Sequence, residues 1–443
     1  MPTFSTLLAP RVRRMIPALA AGLLLVAAST AFAQPSALTL DRALQLAQER
    51  SRLLPAQESA AAGARQMALA ASHLPDPVLK AGVNNLPVDG ADRFSLTRDF
   101  MTMRSIGVMQ EFTRDDKRKA RSARFVREAE VAEAGRVVAL IDLRRETAMA
   151  WLERHFQERL RELLQLQRTE TGLQIEAAEA AYRGGRGAQA DVFAVRSALA
   201  QIDDRLRQVD LQIATAKTAL ARWVGAPAEQ PLGEAPALSA VRLDTGRLEA
   251  ELEHHPQLAL MARQEATARA QAQVARSNRQ PDMSVELMVS QRGSAYSNMV
   301  SVNVSIPLQW DRANRQDREL AAKLADTEQL RAQREEATRE QLARTRTWLL
   351  QWHSTRDRLA HYDNTLIPLA SDRGQAAIAA YRGGSGPLAA VLDARRTEID
   401  HRVERLRLEM EAAALWARLE YLIPAEHLAA AAHAAAAPKE QQP

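Results

Sequence analysis

The side chains able to do chemistry are scattered along this sequence instead of gathered. Of nine histidines only His254 and His255 are adjacent. Pro256 follows them, and proline is tolerated at the first position of a helix, so the pair reads as a helix start in preference to a ligand pair. His427 and His433 fall in an Ala-rich terminal stretch whose composition builds no core. Cysteine is absent, which removes thiolate nucleophiles, thiolate metal sites, a disulfide framework and a lipid-modified cysteine. There is no phosphate-binding glycine loop and no His-Glu-x-x-His pair. The carboxylates lie on repetitive helical stretches. No catalytic residue, cofactor or metal site is expected, and the chain does not read as an enzyme.

Methionine is the one soft donor available. Six of the twelve methionines, Met101, Met103, Met109, Met283, Met288 and Met299, fall in or beside strand-like segments. Thioether sulfur suits Cu(I) or Ag(I), so a transient path is conceivable. Met283, however, shares the parity of its apolar neighbours, and methionine fills apolar surface readily, which favours the plainer reading.

The most informative residues occur twice. Ala177–Arg196 reads AAEAAYRGGRGAQADVFAVR and Ala376–Arg395 reads AAIAAYRGGSGPLAAVLDAR, about 199 positions later. Tyr182, Arg183, Gly184, Gly185 and Gly187 thus recur as Tyr381, Arg382, Gly383, Gly384 and Gly386. Each set ends one helical pattern and opens another, with glycine supplying the positive-φ positions of a tight reversal. The period is too long for a solenoid, so the chain is a tandem duplication of a large supersecondary unit.

Long helices must position these turns. The 443 residues carry 4% aromatics and 26% charge, a composition of long helices and coiled coils and not of a compact enzyme core. The net charge of +5 is spread among Glu and Asp along helices, which indicates a solvated surface and no nucleic-acid partner. Arg11, Arg13 and Arg14 precede an apolar run and Ala31-Phe32-Ala33, the pattern of a signal peptide over 1–33 and an exported chain.

The first repeat, 34–225, reads as a helix to about Ser72, a stop at Pro75-Asp76-Pro77, a strand pair at about 78–112, a helix at about 116–182, the glycine turn, and a helix at about 189–224. A helix of about 65 residues is roughly 100 Å long. A Pro-, Ala- and Gly-rich linker over 226–241 leads to the second repeat, 242–424. Its strand pair lies at about 282–308, its long helix at about 312–382 and its last helix at about 388–422, before a disordered tail over 425–443. Val300, Val302, Val304, Ile306 and Leu308 alternate with Ser301, Asn303 and Ser305, as in a transmembrane strand with lipid on one side and water on the other. An amphipathic hairpin lying on a soluble helical domain is the alternative, and two such hairpins in equivalent places argue against it. Four strands cannot close a barrel, and an open edge cannot face hydrocarbon, so a spanning chain must oligomerise.

The duplicated Ala-Tyr-Arg-Gly-Gly-x-Gly blocks, with Asp191-Val192 and Val391-Leu392-Asp393-Ala394-Arg395 downstream and Ile306-Pro307-Leu308 closing the last strand, resemble the TolC-like outer-membrane efflux channels over nearly all of the mature chain. The resemblance implies a mainly α fold with a small β part: a coiled-coil helical tunnel in the periplasm and four strands per chain in a homotrimer's shared twelve-stranded barrel, held in outer-membrane lipid. A shorter resemblance covers about forty residues and rests on Leu74-Pro75-Asp76-Pro77, Asn85-Leu86-Pro87, Met101-Thr102-Met103, Gly107-Val108-Met109-Gln110-Glu111-Phe112 and Lys117-Arg118-Lys119. It is to the outer-membrane components of heavy-metal resistance-nodulation-division pumps, of the cobalt-zinc-cadmium and copper-silver type. The implied partners are a periplasmic membrane-fusion adaptor and an inner-membrane resistance-nodulation-division pump, with heavy-metal cations as cargo. A drug-efflux or type I secretion channel shares the architecture, and a soluble periplasmic adaptor or scaffold is the competing class.

The same resemblance implies an adaptor-docking tip at Tyr182, Arg183, Gly184, Gly185, Gly187, Arg382, Gly383, Gly384 and Gly386. It also implies a gate in which Asp191 meets Tyr381. A basic gate residue of the family falls on Gly386 and an acidic aperture position on Ala390, although Asp393 is retained. The lock is therefore altered, with Arg183, Arg186 or Arg382 as replacement partners. Capping and packing of the turn is the structural reading of the same residues.

Overall fold

The computed structural model describes residues 37–243 and 245–424. The expected signal peptide and the Ala-rich tail lie outside the described residues. The described residues are 70% helix and 9% strand, so the mainly α expectation with a small β part holds for them.

In the first repeat α1 (Leu40–Arg50) and α2 (Leu53–Ser72) precede β1 (Val78–Asn84), β2 (Met103–Phe112), α3 (Asp115–Arg183) and α4 (Gln189–Val224). The second repeat runs through α5 (Leu248–Leu252), α6 (Pro256–Ser277), β3 (Met283–Gln291), β4 (Met299–Ser305), α7 (Gln316–His361), α8 (Ile367–Arg382) and α9 (Leu388–Glu420). The single helix expected before Ser72 is in fact two. The Thr39 hydroxyl caps the first by accepting from Arg42 N–H at 3.2 Å. At Ser51 the backbone turns extended, with φ −60° and ψ 127°.

Helix α3 spans 69 residues without interruption, about 100 Å, with Asp115 and Asp116 in its first turn, where carboxylates favour the helix dipole. Its counterpart departs from the expected unbroken helix over 312–382. A π-helical turn at Tyr362–Leu366 separates α7 from α8. Pro368 explains it: the residue offers no N–H to the carbonyl of Asn364, and its ring crowds that oxygen, so the ladder widens just before it. Arg405 of α9 braces the turn, donating from Nε to Asp363 Oδ1 at 2.7 Å and from Nη2 to Oδ2 at 3.2 Å.

The main core lies where the repeats meet the linker. Leu38, Trp151, Phe156, Leu220 and Val224 pack in one cluster with Leu252, Trp352, Trp416, Leu419 and Ile423. The linker is pinned to it. Trp151 Nε1 donates to the Leu38 carbonyl and Trp416 Nε1 to the Ala240 carbonyl, both at 2.9 Å. The buried Arg154 guanidinium donates to the carbonyls of Ala228 and Gln230 at 2.6 and 2.8 Å, and Leu232 forms a parallel bridge with Leu38.

The four strands form one antiparallel sheet in the order β1-β2-β3-β4, so the repeats join through β2 and β3. Register sorts the residues by face. Leu79, Val108, Leu287 and Val302 share one row, and Ala81, Ile106, Val289 and Val300 the next. These rows are open: Leu79 and Val300 are each 68% exposed. The opposite face carries Lys80, Asn84, Ser105, Glu286, Ser290, Ser301 and Asn303, with Ser105 and Ser290 only 8% and 3% exposed. On that face Lys80 Nζ reaches Glu286 Oε2 at 3.0 Å, and Asn84 donates to the Ser105 hydroxyl at 2.8 Å. Gly107 lets β3 come close, since a Cβ there would lie 2.7 Å from the Leu287 carbonyl oxygen.

At the helix end of the sheet Lys117 Nζ lies 2.6 Å from Asp282 Oδ2, and Arg114 N–H donates to Oδ1 at 3.1 Å. Partial burial works to raise the pKa of Asp282, but these donors outweigh it and hold the group below the usual carboxylate range. No helix among the described residues is long and apolar enough to cross a membrane.

Candidate functional site

The duplicated glycine blocks fold as two helix-to-helix reversals of nearly identical geometry. Gly185 has φ +68° and Gly384 φ +72°, the left-handed region that side chains disfavour. Around each runs the hydrogen-bond pair of a Schellman motif. Arg186 N–H donates to the Ala181 carbonyl at 2.9 Å and Gly185 N–H to the Tyr182 carbonyl at 3.0 Å. In the second repeat Ser385 N–H donates to the Ala380 carbonyl at 2.9 Å and Gly384 N–H to the Tyr381 carbonyl at 3.1 Å. Gly187 and Gly386 serve space instead: a Cβ on either would come within 3.2 and 3.1 Å of the Ala181 and Ala380 Cβ atoms. Gly184 and Gly383 end their helices with N–H bonds to the Ala180 and Ala379 carbonyls.

The two reversals sit side by side. Ala178, Val192 and Val195 of the first repeat form a small buried cluster against which Leu388 and Leu392 of α9 pack. The polar residues stay outside it. Tyr182 is 47% exposed, and the Arg183 side chain is 72% exposed beside Glu179. Arg196 holds Glu179 at 2.7 Å.

The residues expected to gate are both at this end, but no hydrogen bond joins Asp191 to Tyr381 within the protomer among the described residues. Asp191 Oδ2 instead accepts from Ala188 N–H at 3.2 Å, as the acidic partner in a capping box does. Asp393 pairs with Arg373 at 2.6 Å on the exposed surface. The second repeat has Pro387 where the first has Ala188, and Ala390 where it has Asp191. Proline has no N–H to cap, so the carboxylate has lost its local partner there.

One buried charge was not singled out by the sequence pattern. Glu398 on α9 is 1% exposed and is held by Arg395 at 2.8 Å and Arg402 at 2.7 Å. Gly374 faces it, where a Cβ would stand 3.6 Å from Glu398 Oε2. The available signal was a glycine inside α8 with arginines three before and four after the glutamate.

A groove of about 300 Å³ runs between α3, α4 and α9, lined by Thr171, Gln201, Arg205, Asp393 and Asp400 among others. The described residues contain no group of three or more His, Asp or Glu side chains able to hold a metal ion. His255 is the residue before α6, with Pro256 in the helix's first turn, as the sequence indicated. Desolvation, with Arg145 and Arg344 nearby, pulls its pKa down to about 4, which keeps it neutral. The site as a whole offers exposed polar and charged groups, among them Tyr182 and Arg183, on a double turn.

Residues 248–423 match the family model described as outer membrane efflux protein. The fold is shared with crystal structures of membrane proteins, outer membrane channels among them. The outer membrane protein VceC from Vibrio cholerae is 18% identical with a TM-score of 0.70, over 86% of this chain and 95% of that one. A membrane protein from Pseudomonas aeruginosa gives 16% and 0.74, over 86% and 92%. CusC, described in terms of transmembrane channel formation, gives 16% and 0.70, over 87% and 92%. No curated protein matches the sequence significantly.

Proposed function

We propose that this chain is a TolC-like exit duct in the outer membrane, the passive last stage of a tripartite efflux pump. One observation carries the reading. A four-stranded sheet with an open apolar face and two unpaired edges extends from helices as long as the 69-residue α3. Such a sheet cannot stand alone in hydrocarbon, because the edge N–H and C=O groups would go unsatisfied. Three copies of four strands close a twelve-stranded barrel, with the apolar rows toward lipid and the Ser- and Asn-rich face toward water. The match over residues 248–423 supports the channel class.

In this reading the paired glycine turns form the periplasmic tip that receives the adaptor, and the pump supplies the energy. Asp191, Tyr381 and Asp393 line the aperture, with Asp191 exchanging its cap on Ala188 for Tyr381 when the tip closes. The cargo we assign is heavy-metal cations, on the resemblance around Pro75–Pro77 and Met101–Phe112.

The test is membrane fractionation followed by planar-bilayer recording. A heat-sensitive outer-membrane oligomer that conducts ions is expected, and a purely soluble periplasmic protein overturns the channel. Asp191→Ala with Tyr381→Phe should raise single-channel conductance. Parent-like conductance at equal abundance removes these residues from the gate.

A further inference from the structure

Four of the six methionines near the strands lie on the polar face of the sheet. Met109 stands opposite Glu286, Met288 between Gly107 and Ser301, and Met299 opposite Ser290. Met103 stands opposite Asn84 at the outer end of β2. Met283 alone among the strand methionines pairs on the apolar face, opposite Phe112. Met109, Met288 and Met299 thus step diagonally across β2, β3 and β4. Diagonal neighbours in an antiparallel sheet are about 7–8 Å apart, within reach of long side chains.

Filling apolar surface explains Met283, but it does not explain this row. Around it stand Ser105, Gly107, Ser290, Ser301, Asn303 and the Lys80–Glu286 pair, with Val78 opposite Met109 as the one apolar neighbour, so Met288 and Met299 have no apolar wall to complete. A thioether here stands among serine, glycine, asparagine and the charged Lys80 and Glu286 side chains, and differs from all of them in its donor. Its distinctive chemistry is soft: sulfur donors select Cu(I)-class ions over hard ones. With no cysteine in the chain, methionine is the only soft donor present. Two or three neutral thioethers with water hold such an ion weakly and release it quickly, which suits a wall past which ions move.

We propose that Met109, Met288 and Met299 form a thioether path for soft monovalent cations along the water-facing wall of the barrel. The path rests on the channel reading only in that the polar face becomes a lumen when the sheets close.

Titrating the purified full-length oligomer in detergent with Ag+ alone, in chloride-free buffer, tests this. Combined Met109→Leu, Met288→Leu and Met299→Leu should lose about one bound Ag+ per chain, because leucine conserves volume but offers no donor. Met283→Leu should bind as the parent does. In planar bilayers Ag+ should reduce the parent's current and spare the triple variant, with potassium conductance unchanged. Equal Ag+ uptake by parent and triple variant, or equal loss in Met283→Leu, overturns the path. If the triple variant does not assemble, Met288→Leu alone must show partial loss. Absence of pores in the parent strikes the channel reading, and the titration still judges the methionines.

Discussion

The two repeats are copies whose helical reversals agree closely and whose supporting parts do not. Gly185 and Gly384 adopt the same left-handed geometry, yet α3 runs unbroken while its counterpart is cut by the π turn at Tyr362–Leu366. The first reversal is followed by a helix start that Asp191 caps, and the second by one that Pro387 opens without a donor. What was kept is the backbone path, fixed by glycine at a left-handed φ that side chains disfavour. What diverged is how each hairpin is tied: the first by the Asp191 cap, the second by extra bonds from Ser385 and Gly386 to the Ala380 carbonyl.

Where the repeats are equal, they should fail equally. Val108 of the first and Val302 of the second share one row on the apolar face. A lipid-facing arginine near mid-bilayer costs about 2–4 kcal/mol. Val108→Arg and Val302→Arg should therefore reduce membrane-inserted oligomer to a similar degree, read by heat-modifiable gel mobility. Asn303→Arg, on the water face, should be tolerated. Loss in only one hairpin would show that the two do not share a membrane face.

The larger histidine pH effect should belong to the second repeat, since desolvation lowers His155 of α3 in the same direction but His255 is moved furthest. His255 stands at the break before α6, while the matching break in the first repeat has Ser51 and Arg52. With a folded pKa pulled from 6.5 to about 4, His255 stays neutral where the unfolded chain takes up a proton. Its contribution is complete above pH 6.5 and is lost as pH falls toward 4, by up to about 3 kcal/mol per chain. His255→Gln should flatten that part of the Tm-against-pH curve. Identical curves for parent and variant would remove His255 from the acid response.

The smallest effect separates the two helix starts. Asp191→Ala should cost about 1 kcal/mol by loss of the cap, seen as faster amide exchange at the start of α4. Ala390→Asp should gain only the helix-dipole contribution while Pro387 is present and should stabilise α9 further once Pro387→Ala restores an N–H. Additive behaviour of the last two changes would mean that the proline is not the reason for the missing acid.

The long helices, both reversals and all four strands were legible because each has a strong local cause: periodicity, paired glycines, or alternation of apolar with small or polar residues. The π turn was not. Pro368 was visible, but a single proline can kink, end or widen a helix, and the choice depends on α9 supplying Arg405 to Asp363. The break at Ser51 was hidden because its flanks are both helical. The cap made by Asp191 was readable from its position three residues into α4. The methionine row needed register: parity within one strand was available, but the diagonal appears only when β2, β3 and β4 are aligned.

The join between the repeats also sets the order of events in biogenesis. Phe112 pairs with Met283, about 170 positions later in the chain. No hairpin can prepay that closure, because pairings distant in sequence form late and slowly. In the exported channel proposed above, β2 must therefore wait, one edge bare, until the helices between it and β3 have emerged. A periplasmic holdase that shields exposed strand edges should matter most in that interval, and slowing synthesis between α4 and α6 should raise misassembly while leaving the finished oligomer as stable as before.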